Sequence, residues 1–372
     1  MKTRAAVLYG ANQPFKVEEI ELDEPKIGEV LVRLTATGLC HSDWHLVTGD
    51  MGPLRYPIVG GHEGGGIVEK VGPGVTRVKP GDHVILSFIP SCGQCRFCSM
   101  GLSMLCDRGA GILDGRQLDG TFRMHTGGGE DVGQMSLIST FSEYTVCPAD
   151  SCIIVDNDLP LDKVCLVGCG VPTGFGAAVN RADVQPGETV AIFGIGGVGI
   201  NAVQGAALKG AAKVIAIDLV DYKLEAAEEM GATHTINAKR EDPVQRIIEL
   251  TNGVGADKTI VTIDVVTPEH IGNAVKAVRK GGRAVIVGVP PVHYQHMDVM
   301  PFDLVLSQKE VAGCLYGSSN PQADVLRYLE LYRAGKLKVD ELITRTYTLD
   351  EINQGYQDML DGKNIRGVIV YQ

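Results

Sequence analysis

Up to about Asp150 the chain alternates short apolar runs with Gly, Pro and Asp. Val30-Leu31-Val32-Arg33-Leu34, Gly66-Ile67-Val68-Glu69 and Val84-Ile85-Leu86 have strand length, and Pro73-Gly74 and Pro80-Gly81-Asp82 are strong turn signals between them. This half predicts an all-β, barrel-like domain. From about Pro172 the rhythm changes to strand, helix, strand. Thr189-Val190-Ala191-Ile192-Phe193 runs into a Gly turn, an Ala-rich helix to Lys209, and then Lys213-Val214-Ile215-Ala216-Ile217-Asp218. The alternation continues through a helix near 222–230 and strands near 234–236, 259–264, 283–289 and 310–313, which predicts a doubly wound parallel sheet. A helical stretch at 322–334 and a strand-like run, Gly367-Val368-Ile369-Val370, complete the chain, and this tail is expected to return to the first domain. Residues 113–139, rich in Gly and polar side chains, show no period and predict a long loop or insertion. No internal repeat or low-complexity tract interrupts this order.

With 372 residues the chain exceeds what one core usually supports, so two domains with a cleft between them are expected. Hydrophobic residues at 44% and charged residues at 21% are an ordinary globular balance and exclude a disordered chain. A formal net charge of -11 argues against nucleic acid or an anionic membrane as the main partner. The N-terminus runs straight into strand-like sequence without the apolar core of a secretory signal, and no apolar run reaches membrane-spanning length, so the expected location is the cytoplasm.

Two motifs then narrow the chemistry. Cys92-x-x-Cys95-x-x-Cys98, followed after seven residues by Cys106, has the density of a tetrahedral zinc site. The competing reading, two disulfides, needs an oxidising compartment that nothing else in the sequence suggests. Gly194-Ile195-Gly196-Gly197-Val198-Gly199 matches GxGxxG and stands between an apolar strand and a helix, where the backbone can approach a pyrophosphate and the helix N-terminus attracts it. Asp218, nineteen residues past Gly199, ends the next strand. Its carboxylate suits the adenosine ribose hydroxyls and repels a 2′-phosphate, favouring NAD over NADP. Lys223 either reaches the ribose or is a solvated helix charge.

Beyond these motifs lie Cys40-His41-Ser42-Asp43-Trp44-His45, Gly60-Gly61-His62-Glu63 and Val167-Gly168-Cys169-Gly170. Separately each is unremarkable, since a lone Cys is usually a small core residue and a lone His a structural one. Together with Gly61-His62-Glu63-Gly64-x-Gly66-x-Val68, the four-Cys loop, GxGxxG and the Val287-Gly288-Val289-Pro290-Pro291 strand end, they resemble the zinc-containing medium-chain alcohol dehydrogenases along nearly the whole chain. The resemblance implies a GroES-like catalytic domain, 1–171 plus 315–372, with a structural zinc lobe at about 92–106, around a Rossmann NAD-binding domain, 172–314. It implies a catalytic zinc on Cys40, His62 and Cys169 with Glu63 close enough to exchange with water or substrate, and a structural zinc on the four-Cys loop: two Zn²⁺ per subunit. It further implies a proton relay through Ser42 to His45, an imidazole at the surface. His41 and Arg366 are placed at the coenzyme pyrophosphate, Thr173, Val198 and Val287 to Val289 beside the coenzyme, Phe88 on a substrate wall, and Asp43 as an acceptor behind a zinc-ligating His.

The implied activity is reversible hydride transfer between an alcohol and NAD, giving an aldehyde or ketone, in a homo-oligomer with a dimer favoured. Three alternatives stay open. The glutathione-dependent formaldehyde dehydrogenases carry a basic residue where this chain has Ala110, although Arg108 is near. Leu86-Ser87-Phe88-Ile89-Pro90-Ser91, Gly115-Arg116-Gln117-Leu118-Asp119-Gly120-Thr121 and Glu130-Asp131-Val132-Gly133-Gln134-Met135 resemble an actinobacterial subgroup, some of whose members retain NAD(H) and pass electrons to an artificial nitrosoaniline acceptor. A non-catalytic nucleotide-binding protein is the third.

Overall fold

The computed structural model describes residues 1–51 and 55–372. The chain divides into two compact units, one of Met1–Cys169, Asn320–Gly335 and Val339–Gln372, the other of Gly170–Ser319 with Lys336–Lys338.

The second unit is a six-stranded sheet in the order His234–Asn237, Lys213–Asp218, Thr189–Phe193, Ala256–Val261, Val278–Ile286, Glu310–Gly313, with every pairing parallel. In sequence order this is 3-2-1-4-5-6, the doubly wound arrangement. Helices cover such a sheet on both faces, so its strands are apolar throughout rather than alternating. Val190, Ala191 and Ile192 are accordingly all fully buried, as are Ile215 and Ala216 beside them. The turn around Gly317 belongs to this unit: a Cβ there would stand 2.0 Å from the Pro172 carbonyl, so it is packed onto the helix Gly170–Gly176. The return to the first unit thus begins at Asn320, a few residues beyond the 315 expected from the sequence.

In the first unit, Lys2–Leu8, Lys16–Leu22, Met124–His125, Asp131–Gln134 and Ile58–Val59 close into a small barrel. A sheet stands beside it in the order Cys152–Val155, His83–Leu86, Gly64–Val71, Glu29–Leu39, Arg366–Val370, Ile343–Tyr347. Glu29–Leu39 is its spine. It pairs with Gly64–Val71, with Tyr144–Pro148 and, through Gly38 opposite Val368, with the last strand of the chain.

Residues 113–139 are not the featureless loop that their composition predicts. They supply two barrel strands, and Arg123 is wholly buried, gripping Glu29 through Nε and Nη2 at 2.7 and 2.6 Å and Asp119 at 2.8 Å. Gln117 and Gln134 are buried too, and the Gln117 amide donates to Gln134, Leu137 and Val146 oxygens. Order here comes from hydrogen bonds among buried polar side chains, which leave no hydrophobic period to read.

Candidate metal centres and the glycine turn

Cys40 caps the helix His41–Thr48 in extended conformation, yet its side chain makes no capping hydrogen bond, so the sulfur is left for other work. His62 follows Gly61, which has φ 88 and where a Cβ would meet the Phe141 amide nitrogen at 2.5 Å; only Gly lets the strand turn there. Cys169 follows Gly168, packed against the Leu86 carbonyl. These three segments bring the Cys40 and Cys169 sulfurs and a His62 ring nitrogen within 4.8 Å of one another. His62 Nε2 lies 3.2 Å from Cys169 Sγ. Nitrogen and sulfur sharing a tetrahedral zinc stand about 3.6 Å apart, so the donor set, two thiolates and one imidazole, fits that ion.

Asp43, fully buried, fixes the imidazole. Its Oδ1 accepts the Gly61 amide at 2.8 Å and His62 Nδ1 at 2.9 Å, which leaves the Nε2 lone pair for a metal. The second oxygen, Oδ2, and the Tyr356 hydroxyl are both buried without a hydrogen-bond partner, and burial and the charge of Asp43 hold that phenol well above its ordinary range. A hydrogen bond from the Cys169 thiol holds Cys40 well below the usual thiol value against the effect of burial, and the charges of His62 and Arg366 act the same way. Burial works to lower His62, but Asp43 and Cys40 outweigh it and raise the imidazole. Cys169 moves the opposite way to Cys40, its hydrogen bond to that sulfur and burial raising it well above the usual thiol value.

Glu63, wholly buried, is not among the converging donors. Its carboxylate is held by Arg366, through Nη2 to Oε2 and Nη1 to Oε1 at 3.3 Å, while Nη2 also reaches the Leu39 carbonyl at 3.1 Å. Arg366 is 4% exposed, so the guanidinium implied for a coenzyme pyrophosphate lies inside the catalytic unit on an internal partner. Phe88 stands edge-on to His62 with centroids 5.5 Å apart. Ser42 Oγ is 3.8 Å from Cys40 Sγ. His45, implied as a surface imidazole, is instead 2% exposed and bonded through Nδ1 to Asp50 at 3.2 Å.

In the four-Cys loop, Cys92 and Cys98 sulfurs are 4.0 Å apart and Cys95 and Cys106 sulfurs 3.9 Å. Thiolates on one zinc stand about 3.8 Å apart, whereas a disulfide bond is about 2.05 Å. All four are free thiols that lie mutually within 4.8 Å. Backbone amides point at the sulfurs: Cys95 N at 3.3 Å from Cys92 Sγ, and Cys98 N at 3.5 Å from Cys95 Sγ. The Cys98 and Asp107 amides lower Cys95 to about 6, while burial pushes Cys106 up to about 12. This array also fits zinc. Asp150, bridging Arg77 and Arg108, ties the lobe to the sheet.

In the other unit Gly194, at φ 90, turns the chain out of Thr189–Phe193, and a Cβ on Gly199 would lie 1.8 Å from the Gly194 carbonyl. A Cβ on Gly196 would meet nothing nearer than Asp264 Oδ1 at 3.9 Å. Asp218 Oδ2 accepts the Ile195 amide at 2.7 Å, binding the turn to the end of the next strand. Val287 and Gly288 leave the end of Val278–Ile286 with both amides on the Val261 carbonyl, at 2.9 and 3.0 Å. Thr173 lies on Gly170–Gly176 and Lys223 on Asp221–Glu229, both half-buried.

Two family profiles match this chain: an alcohol dehydrogenase GroES-like domain over residues 26–157 and a zinc-binding dehydrogenase over residues 197–332. An NDMA-dependent alcohol dehydrogenase from Amycolatopsis methanolica is 52% identical, covering 100% of this chain and 99% of its own. The chain belongs to the zinc-type alcohol dehydrogenase family. Alcohol dehydrogenase B of Mycobacterium tuberculosis is 45% identical over 100% of this chain and 99% of its own. The crystal structure of benzyl alcohol dehydrogenase from Acinetobacter calcoaceticus superposes with a TM-score of 0.92 at 32% identity, covering 100% of each chain.

Three residues of this dehydrogenase's metal region escape sequence reasoning. Gly38 is required because a Cβ would stand 2.1 Å from Glu63 Oε2 and 2.8 Å from Arg366 Nη2. Tyr356 lies more than 300 positions from the Asp43 it faces, and no local pattern links them. Asp50 had a signal, a carboxylate just past the Gly49 that ends the helix carrying His45.

Proposed function

We propose that this dehydrogenase oxidises an alcohol to an aldehyde or ketone with NAD, reversibly, and holds two zinc ions per subunit. The convergence of Cys40, His62 and Cys169, with Asp43 behind the imidazole, is the observation that carries this reading. Zinc held there supplies Lewis acidity toward the alcohol oxygen, and NAD supplies the hydride acceptor. Cys92, Cys95, Cys98 and Cys106 hold the second ion and shape their lobe.

The chain's own groups do the remaining work. Gly194 to Gly199 let the backbone approach a pyrophosphate, and Asp218 accepts ribose hydroxyls while rejecting a 2′-phosphate. His41, Thr173, Lys223 and Val287 to Val289 are assigned to the coenzyme by resemblance. Ser42 takes the proton of the alcohol and His45 carries it away. Phe88, beside His62, is an apolar wall for the substrate carbon chain. Arg108, the base nearest Ala110, is already paired with Asp150, which weighs against a glutathione adduct as substrate.

A second reading has the coenzyme retained and its electrons passed to an external acceptor; the 52% identity to a protein named NDMA-dependent supports it. Mass spectrometry of the desalted protein, with free NADH and dye reduction assayed on a panel of primary, secondary and aromatic alcohols, separates the two. Loss of turnover after chelation and recovery with zinc is expected in both; turnover indifferent to metal refutes the proposal.

A homodimer fits one face of the coenzyme unit. Phe302 and Val305 are 69% and 73% exposed on Pro301–Leu306, and Met300 and Leu306 extend that apolar surface. Glu310–Gly313 ends the sheet with one paired edge. A second copy covering this face would remove it from water, and light scattering of the native enzyme tests it. Among the described residues no helix is long and apolar enough to cross a membrane, and unpaired cysteines suit the reducing cytoplasm, where we place the enzyme.

A further inference from the structure

A proton that leaves the alcohol must end in water, and His45 at 2% exposure barely meets it. Asp50 does. Its side chain is 26% exposed, and its Oδ2 lies 3.2 Å from His45 Nδ1. Thr48 Oγ1 donates to the same oxygen at 2.6 Å, and Gly49, at φ 77, turns the chain off the helix His41–Thr48 so that the carboxylate folds back onto the ring. A carboxylate accepts and cannot donate, so the hydrogen sits on Nδ1 and Nε2 is left as the basic nitrogen.

We propose that Asp50 is a positioning residue of the proton path, holding His45 in the tautomer that can accept a proton at Nε2 and giving that proton its exit to solvent. The inference rests on the dehydrogenase reading with His45 as terminal base. The step balances without a further reactant. A proton binds Nε2; the Nδ1–H bond breaks as the hydrogen moves to Asp50 Oδ2; the carboxyl group releases it to water, leaving neutral His45 and a carboxylate. Proton exchange with water, one lost at Nε2 for one gained at Nδ1, then returns the neutral ring to its Nδ1–H form. Among the described residues, the titratable groups seen against the His45 ring are Asp50 and, edge-on with centroids 5.2 Å apart, His41. A bare structural contact at a helix end would require neither a fixed tautomer nor an exposed carboxylate edge.

Asp50→Asn tests this in the zinc- and NAD-loaded enzyme, with Asp50→Glu as the conservative control. Nitrogen NMR of ¹⁵N-histidine-labelled protein is expected to find Nδ1–H in the parent and in D50E, and Nε2–H in D50N, whose amide N–H points at Nδ1. The kcat for alcohol oxidation is expected to fall about tenfold in D50N with KM little changed, to regain pace in imidazole buffer, and to stay near the parent in D50E. An Nε2–H tautomer in the parent, or a folded D50N with parental tautomer and pH profile, overturns the role. The parent's turnover separates the failures: an active parent with an indifferent D50N removes Asp50 from the path, whereas an inactive parent removes the dehydrogenase reading.

Discussion

Replacing Arg366 by Met keeps most of the side-chain stem and removes the guanidinium. Glu63, with no exposed side-chain surface, would then lose its two charged hydrogen bonds while its carboxylate stays buried, and the Leu39 carbonyl would lose a donor. Breaking a buried pair from one side costs about 3–5 kcal/mol, two to three and a half powers of ten in the folding constant. Gly38 narrows the escape, since the carboxylate already occupies the space beside that backbone. Adding Glu63→Gln removes the stranded charge, so the double variant is expected to regain at least about 2 kcal/mol relative to R366M alone. Urea unfolding followed by tryptophan fluorescence suits the measurement. The single tryptophan, Trp44, is in the same unit and packs on Tyr356 with ring centroids 5.4 Å apart. If R366M unfolds at the parental midpoint while its affinity for NAD drops tenfold, the guanidinium serves the coenzyme and the argument from the ion pair is refuted.

Asp43→Ala would leave the Gly61 amide and His62 Nδ1 buried without the acceptor they share; zinc is expected to leave the Cys40, His62 and Cys169 site about 10- to 100-fold more readily to a chelator, and equal loss rates in variant and parent would contradict this. Asp218→Gly is expected to raise KM for NAD severalfold and improve use of NADP; an unchanged preference removes the ribose assignment. The Thr121 hydroxyl and amide, with Arg123, overcome burial to hold the Asp119 carboxyl below the usual carboxylate range. A depressed folded value means that this stability is complete above the unfolded value of about 4 and is lost as pH falls through the folded one. Because Asp119 is partly exposed, the effect is expected at no more than about 1 kcal/mol, seen as a flatter acid limb of urea stability in Asp119→Asn. An acid limb equal to the parent's would sink it.

The coenzyme half was legible because parallel strands announce themselves as apolar runs and the glycine turn falls where one strand becomes a helix. The catalytic half was legible as strands and turns, but residues 113–139 were not, because Arg123 and the two glutamines are ordered by polar contacts that follow no period. Cysteine spacing revealed the four-Cys loop. Cys40, His62 and Cys169 acquired meaning from resemblance, since nothing local distinguishes them from core residues. The surroundings of the site were hidden: the Glu63–Arg366 pair joins positions 303 apart, and the burial of His45 follows from packing rather than from its helix.

Glu29–Leu39, which leads into Cys40, is bordered on one side by Arg366–Val370. A ribosome must therefore finish nearly the whole message before that border can close and Glu63 can meet its counter-ion. The buried ion pair behind this centre is accordingly completed late, whereas Cys40, His62, Cys169 and the four-Cys lobe all lie within the first 169 residues, so every candidate metal ligand is made before the strand that closes that border.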